Sequence, residues 1–441
     1  MDYYSQLNWV NEYIRNVSPY IYVREEDNLL IKIPNEVHKL NPSAVKLLKK
    51  LIGGENVFSI VDAYPNKQKV AYDIHNFFCD LRSLLKGCYR ENSIRRAIEK
   101  VPFRLQFNAL PVLSEVAVTY DCNLSCKFCY AGCACRKAPD TQELNTASLK
   151  EVLTIIKNEA KVPSVSFTGG EPTLRKDLIE LVSHAHSLGL WTNLITNATL
   201  ITEDLALKLK NAGLNSAQVS LEAPDAALND YIVQKRGAFK KTIAGLVNLK
   251  EVTIRVHTNT TINRLNKNEV VKIPGFLKNL KMDKFSMNML MPAGSALSRL
   301  EEVLVRYSEI GDIVLKVQKE SQILGLEFMW YSPTPICIFN PIIHGLGNKG
   351  CAACDGLLSI APNADILPCS SYPKPLANIL EIKNNFRKVW QSKNFVFFQK
   401  KHFAHDKCRQ CEHLAVCNGG CPLYWRELGY EEILSKEEAV L

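Results

Sequence analysis

The sequence predicts an α/β fold: a partial (β/α)6 TIM-type barrel between a small N-terminal domain and a cysteine-rich C-terminal domain. Three observations predict it. Strand-like apolar runs alternate with helix-period stretches six times between Ser114 and Met291, the pattern of a parallel sheet with helices outside. Residues with distinctive chemistry stand at the C-terminal ends of those runs, where such barrels carry their sites. The 15 cysteines are unevenly placed, five between 122 and 135 and eight between 337 and 421.

Composition sets the bounds. A chain of 441 residues, 46% hydrophobic and 22% charged, is a globular composition long enough for two to three domains at roughly 150 residues each. The expected divisions are 1–95, a linker or bridge at 96–112, the barrel at 113–335 and the cysteine-rich domain at 336–441. No run approaches the ~18 apolar residues of a membrane span. Met1-Asp-Tyr-Tyr-Ser-Gln lacks the basic and apolar regions of a signal peptide. The expectation is therefore a cytoplasmic protein with no membrane partner. In that compartment so many cysteines point to metal ligands rather than disulfides. The net charge of +9 is spread without a long Lys/Arg block, which argues against a nucleic-acid partner and suits a basic solvated surface or an acidic peptide.

Within residues 1–95, Tyr20–Arg24 and Leu29–Ile33 read as two short strands about Glu25-Glu-Asp-Asn28, and Pro34-Asn35 ends the second. Asn41-Pro-Ser opens a helix that Gly53-Gly54 closes. Ile74, Phe77, Phe78, Leu81, Leu84 and Leu85 form one apolar helical face, closed by Gly87. In the barrel, strands are expected at 115–120, 164–167, 191–196, 216–221, 252–258 and 285–289. Helices are expected at 146–160, 177–188, 202–212, 237–249 and 268–280.

The first barrel strand runs into Cys122-Asn-Leu-Ser-Cys126-Lys-Phe-Cys129. Three thiols at x3 and x2 spacing on one loop can wrap an iron–sulfur cluster and leave its fourth position open. A zinc site favours four ligands in CxxC pairs and fits this triplet poorly. Thr168-Gly-Gly-Glu-Pro-Thr173 follows the second strand, Thr196-Asn197 ends the third and Ser220-Leu-Glu222 the fourth. The triplet with its aromatic Phe128, and Gly169-Gly170-Glu171-Pro172 about forty residues on, resemble the radical S-adenosylmethionine (radical SAM) superfamily.

That resemblance implies a 4Fe–4S cluster on Cys122, Cys126 and Cys129 whose open iron chelates S-adenosylmethionine. It also implies reductive cleavage to methionine and a 5′-deoxyadenosyl radical that removes a hydrogen atom from substrate. It places Phe128 by the adenine, the bare Gly169–Gly170 backbone by the cofactor's ammonium, and Glu171 as a loop-ordering or charge-neutralising group. Ser220 and Glu222 fall near the ribose, although many relatives carry Asp where Glu222 stands. Asn197, Arg236 and Thr258 are further candidates for the ribose or carboxylate. Pro292-Ala-Gly294 resembles a loop that closes over adenine. Cys133 and Cys135 follow the triplet and are read as small, partly buried thiols rather than ligands.

The C-terminal block holds Cys351-x2-Cys354, Cys369, and Cys408-x2-Cys411-x5-Cys417-x3-Cys421. By themselves the last four could bind a structural zinc. Together the set resembles SPASM, the C-terminal extension of radical SAM peptide maturases, which houses two auxiliary 4Fe–4S clusters. The resemblance assigns Cys351, Cys354, Cys369 and Cys421 to the first, and Cys408, Cys411 and Cys417 to the second. Two departures stand out: Ala364 replaces the expected glycine before Cys369, and no cysteine follows Cys421. The second cluster would then have an open position, or one filled by a carboxylate, a histidine or Cys337. An open iron there could bind a substrate thiolate.

Residues 1–95 are similar to the small winged-helix peptide-binding domain of pyrroloquinoline quinone biosynthesis, through their element order and the Pro34-Asn35 and Leu40-Asn41 pairs. The implied partners are a precursor peptide held by its leader, and an electron donor such as ferredoxin or flavodoxin. The implied reaction is thioether or carbon–carbon crosslinking. A protein serine or cysteine, a porphyrin or other small molecule, and RNA are the alternative substrates.

Overall fold

The structure, a computed structural model, describes residues 2–87, 104–105, 107–133 and 142–435. Residues 88–103 and 106, which include most of the expected linker, and Cys135 lie outside the described residues. Contacts divide the chain into two compact units, one of residues 1–103 and 107–112 and one of residues 104–106 and 113–441.

The N-terminal unit contains helix α1 (Val10–Val17) and strands β1 (Ile21–Arg24), β2 (Leu29–Lys32) and β3 (Glu36–Lys39), in an antiparallel sheet of order β1-β2-β3. Helices α2 (Pro42–Ile52), α3 (Val57–Asp62) and α4 (Lys67–Leu85) follow. The Asn41 side chain accepts from Ala44 N at 2.8 Å, the N-cap that its position before Pro42 foretells. The periodic face of α4 is where expected: Ile74, Phe77, Phe78 and Leu81 are buried with Leu48, Val57 and Val61. The sequence reading missed β3, α1 and α3. These are short elements, and β3 is a charged edge strand whose apolar alternation is nearly absent. Arg24 and Asp27 form a buried ion pair at 2.8 Å, and Arg24 also donates to the Leu110 carbonyl at 2.9 Å. Carbonyl bonds of this kind satisfy the guanidinium donors that the carboxylate does not reach, as a buried charge requires.

The second unit is built on β4 (Leu113–Thr119), β5 (Ser164–Gly169), β6 (Trp191–Thr196), β7 (Ser216–Ser220), β8 (Arg255–Ile262) and β9 (Lys284–Met289), paired in parallel in that order. Helices α5 (Thr146–Asn158), α6 (Leu178–Ser187), α7 (Glu203–Asn211), α8 (Ala226–Val233), α9 (Ala238–Glu251) and α10 (Ile273–Asn279) form the crossovers. Val116, Val118, Val165, Phe167, Leu194, Val219, Phe285 and Met287 are all at most 1% exposed, so the sheet is buried against its helices as parallel sheets must be.

Two differences matter for the site. β8 begins at Arg255 and runs to Ile262. The expected start at 252 instead falls on the helix end, where Thr253 turns at φ +60°. Thr258 therefore sits mid-strand, fully buried, and not at the strand end. Helix α8 was not expected, because Ala226–Val233 is a short run without a clear polar face.

The sheet also extends beyond the six units. β10 (Glu327–Trp330) pairs with β9, and β11 (Leu357–Ile360) pairs in parallel with β4. β12 (Asp365–Leu367) and β13 (Ala377–Asn378) continue from β11 as antiparallel neighbours. At the β11–β12 turn Ala364 holds φ +72°, where a Cβ costs ~1 kcal/mol or more relative to glycine. No helix among the described residues is long and apolar enough to cross a membrane.

His257 on β8 gives the sheet a pH dependence. Its Nε2 lies 3.3 Å from Gln218 Oε1, and burial, aided by Lys284, depresses its pKa to about 4. The unfolded chain protonates the ring near 6.5. Stability from the neutral ring is complete above that value and is lost as pH falls toward about 4, by on the order of 3 kcal/mol at most. His257→Gln is expected to flatten this part of the curve, measured as the difference in urea midpoint between the two proteins at about pH 7 and about pH 5.

Candidate functional site

The loop after β4 carries the three thiols and is held from four sides. Ser125 N and Lys127 N donate to the Val233 and Ile232 carbonyls at the end of α8, at 3.2 and 3.0 Å. The unexpected helix is thus a wall of the loop. The Lys127 ammonium, 4.1 Å from the Tyr231 ring centroid, pairs with the Glu302 carboxylate. Ser295 N donates to Cys129 O at 2.8 Å. Gly294 stands at φ +56°, where a Cβ would lie 2.3 Å from the Cys129 and Tyr130 carbonyl oxygens. The Pro292–Gly294 loop therefore locks onto the cysteine loop backbone, and only glycine permits the approach.

The Gly-Gly-Glu-Pro segment supplies the fourth side, in a way the sequence alone did not show. Gly170 N donates to Thr119 O, and Glu171 N to Asp121 O, both at 2.8 Å. A Cβ on Gly169 would lie 2.0 Å from Thr119 O, and one on Gly170 would lie 2.1 Å from Asp121 O. The glycines are required first by backbone crowding against the strand that delivers Cys122. Glu171 is fully buried. It accepts from Thr173 Oγ1 and Thr196 Oγ1 at 2.7 Å and from Asn197 N at 2.8 Å. Burial raises its pKa while these donors oppose the rise. Asn197 then donates from Nδ2 to Asn123 Oδ1 at 2.9 Å, and Asn123 donates to Thr199 Oγ1 at 2.8 Å. One buried carboxylate thus ties the ends of β5 and β6 to the cysteine loop.

These loops enclose a cavity of about 310 Å³ at the C-terminal ends of the strands. Cys122, Cys126 and Cys129 line it together with Phe128, Gly169, Gly170, Asn197, Ser220 and Glu222. Glu171 and Pro172 lie behind the wall, and Arg236 is exposed away from it. Thr258 does not line it. Asn259 and Thr261, the strand residues flanking its far end, do. Also facing the cavity, and missed in the sequence, are Glu115, Gln218, Asn288 and Ser370. For Glu115, Gln218 and Asn288 the signal was present as polar residues inside strands, on the face that a filled barrel would make apolar; Ser370 lies in no strand and gave none. Glu115 accepts from Ser359 Oγ at 2.8 Å and from Ser370 N at 3.0 Å, which fastens the segment after Cys369 to β4. Glu222 accepts from Thr261 N at 2.9 Å, and burial pushes its pKa up to about 8.

Burial raises Cys122 to about 11 and also raises Cys126, with neighbouring thiols and carboxylates adding to the rise. A hydrogen bond with Cys133 lowers Cys129. Buried thiols crowded in this way ionise fully only against a cationic centre. Leu124 N already donates to Cys122 Sγ at 3.4 Å. A sulfur donor set on one loop, with room in front of it, fits an iron–sulfur cluster with one face left for a further ligand.

The C-terminal thiols fall into two groups. Cys351 lies within electrostatic reach of Cys354, Cys369 and Cys421, and Cys369 within reach of Cys421. Beside them Lys401 is fully buried and donates to Cys351 O at 2.7 Å. A buried ammonium suits a site that becomes anionic when four thiolates assemble. Cys408, Cys411 and Cys417 line a separate cavity. Among the described residues no three His, Cys, Asp or Glu gather as a single-ion site.

Comparison with known proteins follows the same division. The radical SAM superfamily profile matches residues 116–277, and an iron–sulfur cluster-binding domain, SPASM, matches residues 351–412. A Fe-coproporphyrin III synthase of Methanosarcina barkeri is 35% identical over 339 residues, covering 68% of this chain and 81% of that protein. A PqqA peptide cyclase of Bradyrhizobium diazoefficiens is 26% identical over 330 residues, covering 74% and 84%. The crystal structure of Streptococcus suis SuiB bound to precursor peptide SuiA shares the fold, with a TM-score of 0.66 at 18% identity over 92% of this chain and 97% of that one.

Proposed function

We propose that this chain, which belongs to the radical SAM superfamily, is a peptide maturase. It modifies a ribosomally made precursor peptide by hydrogen-atom abstraction and closes a thioether or carbon–carbon crosslink. The observation that carries this reading is the N-terminal unit. It packs separately and presents β3 at one edge of its sheet, with no strand beyond it among the described residues. A leader peptide can add there as a further strand, held by main-chain hydrogen bonds. The peptide cyclase relative, and the shared fold with SuiB, support the same substrate class.

Cys122, Cys126 and Cys129 would hold the iron–sulfur cluster, which would supply the one-electron reduction of S-adenosylmethionine. The chain's own residues do the rest. Glu171, Asn197 and Asn123 fix the thiol loop. Phe128, Ser220 and Glu222 offer an aromatic face and two oxygen groups to the cofactor's nucleoside. Gln218, Asn259 and Asn288 present polar groups from the strands to the substrate. A crosslink removes two hydrogens from the peptide: one leaves as an atom to the cleaved cofactor, the other as a proton and an electron. Cys351, Cys354, Cys369 and Cys421, and Cys408, Cys411 and Cys417, would hold auxiliary clusters able to supply one-electron chemistry, and a ferredoxin or flavodoxin would be the external electron donor.

The test is anaerobic turnover with S-adenosylmethionine, dithionite and the short peptide encoded beside the gene. The peptide should become lighter by two hydrogens. A chain beginning at Leu113 should lose this product while still releasing 5′-deoxyadenosine. The porphyrin synthase relative at 35% identity favours a second reading, a porphyrin side chain as substrate. Loss of a carboxyl group from an iron porphyrin, undiminished by removal of the N-terminal unit, would replace the peptide reading with that one.

A further inference from the structure

Three thiols cannot close a cubane cluster, and the sequence after Cys421 contains no cysteine. A further thiol lies upstream. Cys337 stands outside the residues that match the iron–sulfur domain, and more than seventy positions before Cys408 in the sequence. In the fold it lines the same cavity, of about 40 Å³, as Cys408, Cys411 and Cys417.

The turn that carries Cys337 is fixed in place. Ile338 N and Phe339 N both donate to Pro335 O, at 2.9 and 3.0 Å. Ile336 and Phe339, on either side of the cysteine, are buried. Ile336 N–H donates to Cys417 Sγ at 3.3 Å, so the residue before Cys337 already addresses one of the three sulfurs. Gly420 is what lets the two segments meet. It stands at φ +83°, where a Cβ would lie 3.1 Å from Pro335 Cγ and 3.1 Å from the Trp425 ring. Backbone N–H donation to a ligand sulfur is a usual feature of iron–sulfur sites and tunes them.

We propose that Cys337 is the fourth thiolate ligand of the second auxiliary cluster, joining Cys408, Cys411 and Cys417. The inference rests on reading the C-terminal region as an iron–sulfur domain. Each Fe–S bond forms as a thiol loses its proton to solvent. His413 also lines the cavity. Its ring lies 3.7 Å from the Glu412 carboxylate, and no sulfur contact engages its nitrogens among the described residues, so it is the rival donor. A cluster ligated by four protein thiolates has no iron left for a substrate thiolate. Its task is then to carry electrons or to hold the fold.

The experiment uses the anaerobically reconstituted full chain with Cys122, Cys126 and Cys129 all replaced by alanine, so that only auxiliary iron remains, about eight per chain. Iodoacetamide labelling read by mass spectrometry should leave Cys337 as unreactive as Cys408. Cys79, outside both cysteine blocks, should be labelled, and chelator treatment should expose Cys337. Adding Cys337→Ala should open one iron. Mild oxidation then yields a three-iron EPR signal absent from the parent, and 2-mercaptoethanol shifts the reduced signal only in this variant. Labelling of Cys337 in the loaded protein with Cys408 protected would overturn the proposal. So would a three-iron signal that appears with His413→Ala instead. Iron bound at about eight per chain in either case would leave the iron–sulfur reading standing. Zinc in place of iron would defeat that reading and this inference together.

Discussion

Cys126→Ala is expected to abolish release of 5′-deoxyadenosine from S-adenosylmethionine and dithionite, while about eight of about twelve irons per chain remain. The reason is local. Cys126 is the middle thiol of three on one loop and faces the 310 Å³ cavity with Cys122 and Cys129. Two thiolates cannot hold a cubane against solvent, and serine or alanine at 126 supplies no comparable donor. The auxiliary thiols are carried by different segments, 337–369 and 408–421, so their iron should stay. The measurement pairs iron and sulfide analysis with chromatography of the nucleoside product. Loss of all twelve irons would mean that the clusters assemble only together. Full activity with eight irons would remove the triplet from the chemistry.

The parts of this site that were legible in the sequence share one property: they are local. Cys122, Cys126 and Cys129 lie within eight residues, and Gly169–Pro172 are contiguous, so spacing and a strand end were enough to find them. The six parallel strands were legible for the same reason, each being a compact apolar run. What was not legible depends on partners far along the chain. Glu171 reads as either a loop-ordering or a charge-neutralising group, and only the fold shows its carboxylate occupied by Thr173, Thr196 and Asn197. Nothing in a single sequence reports that a side chain's lone pairs are already taken. Thr258 reads as a strand-end residue because β8 is polar where it is half-buried, and a boundary shift of four residues moves the whole candidate set along the pleat. The neighbour relation of β11 and β4 joins residues more than 240 apart in sequence. It brings Ser359 and Ser370 to Glu115, and no periodicity encodes that.

Gly170→Ala discriminates between two meanings of the glycine pair. If Gly170 serves only to bare its backbone to the cofactor, a methyl group there should weaken S-adenosylmethionine binding and leave the apo-protein and its iron unchanged. The geometry makes a different demand. The added Cβ would lie 2.1 Å from Asp121 O, 2.7 Å from Asp121 C and 2.8 Å from Tyr120 O. These are backbone atoms that cannot rotate away, and the same segment is pinned by the Gly170–Thr119 and Glu171–Asp121 hydrogen bonds. Relief must come from moving the chain that enters Cys122. The expected result is a destabilisation of roughly 3 kcal/mol and loss of about four irons from the barrel site, with auxiliary iron retained. Gly237 is the control: it stands at φ +80°, and a Cβ added there would meet nothing within 4 Å. Gly237→Ala should therefore cost only about 1 kcal/mol of backbone strain and no iron. A Gly170→Ala protein with full iron and unchanged stability would return the glycine pair to the cofactor alone. Iron loss in that variant, with Gly237→Ala intact, would establish that the motif builds the cysteine loop before it can meet any ligand.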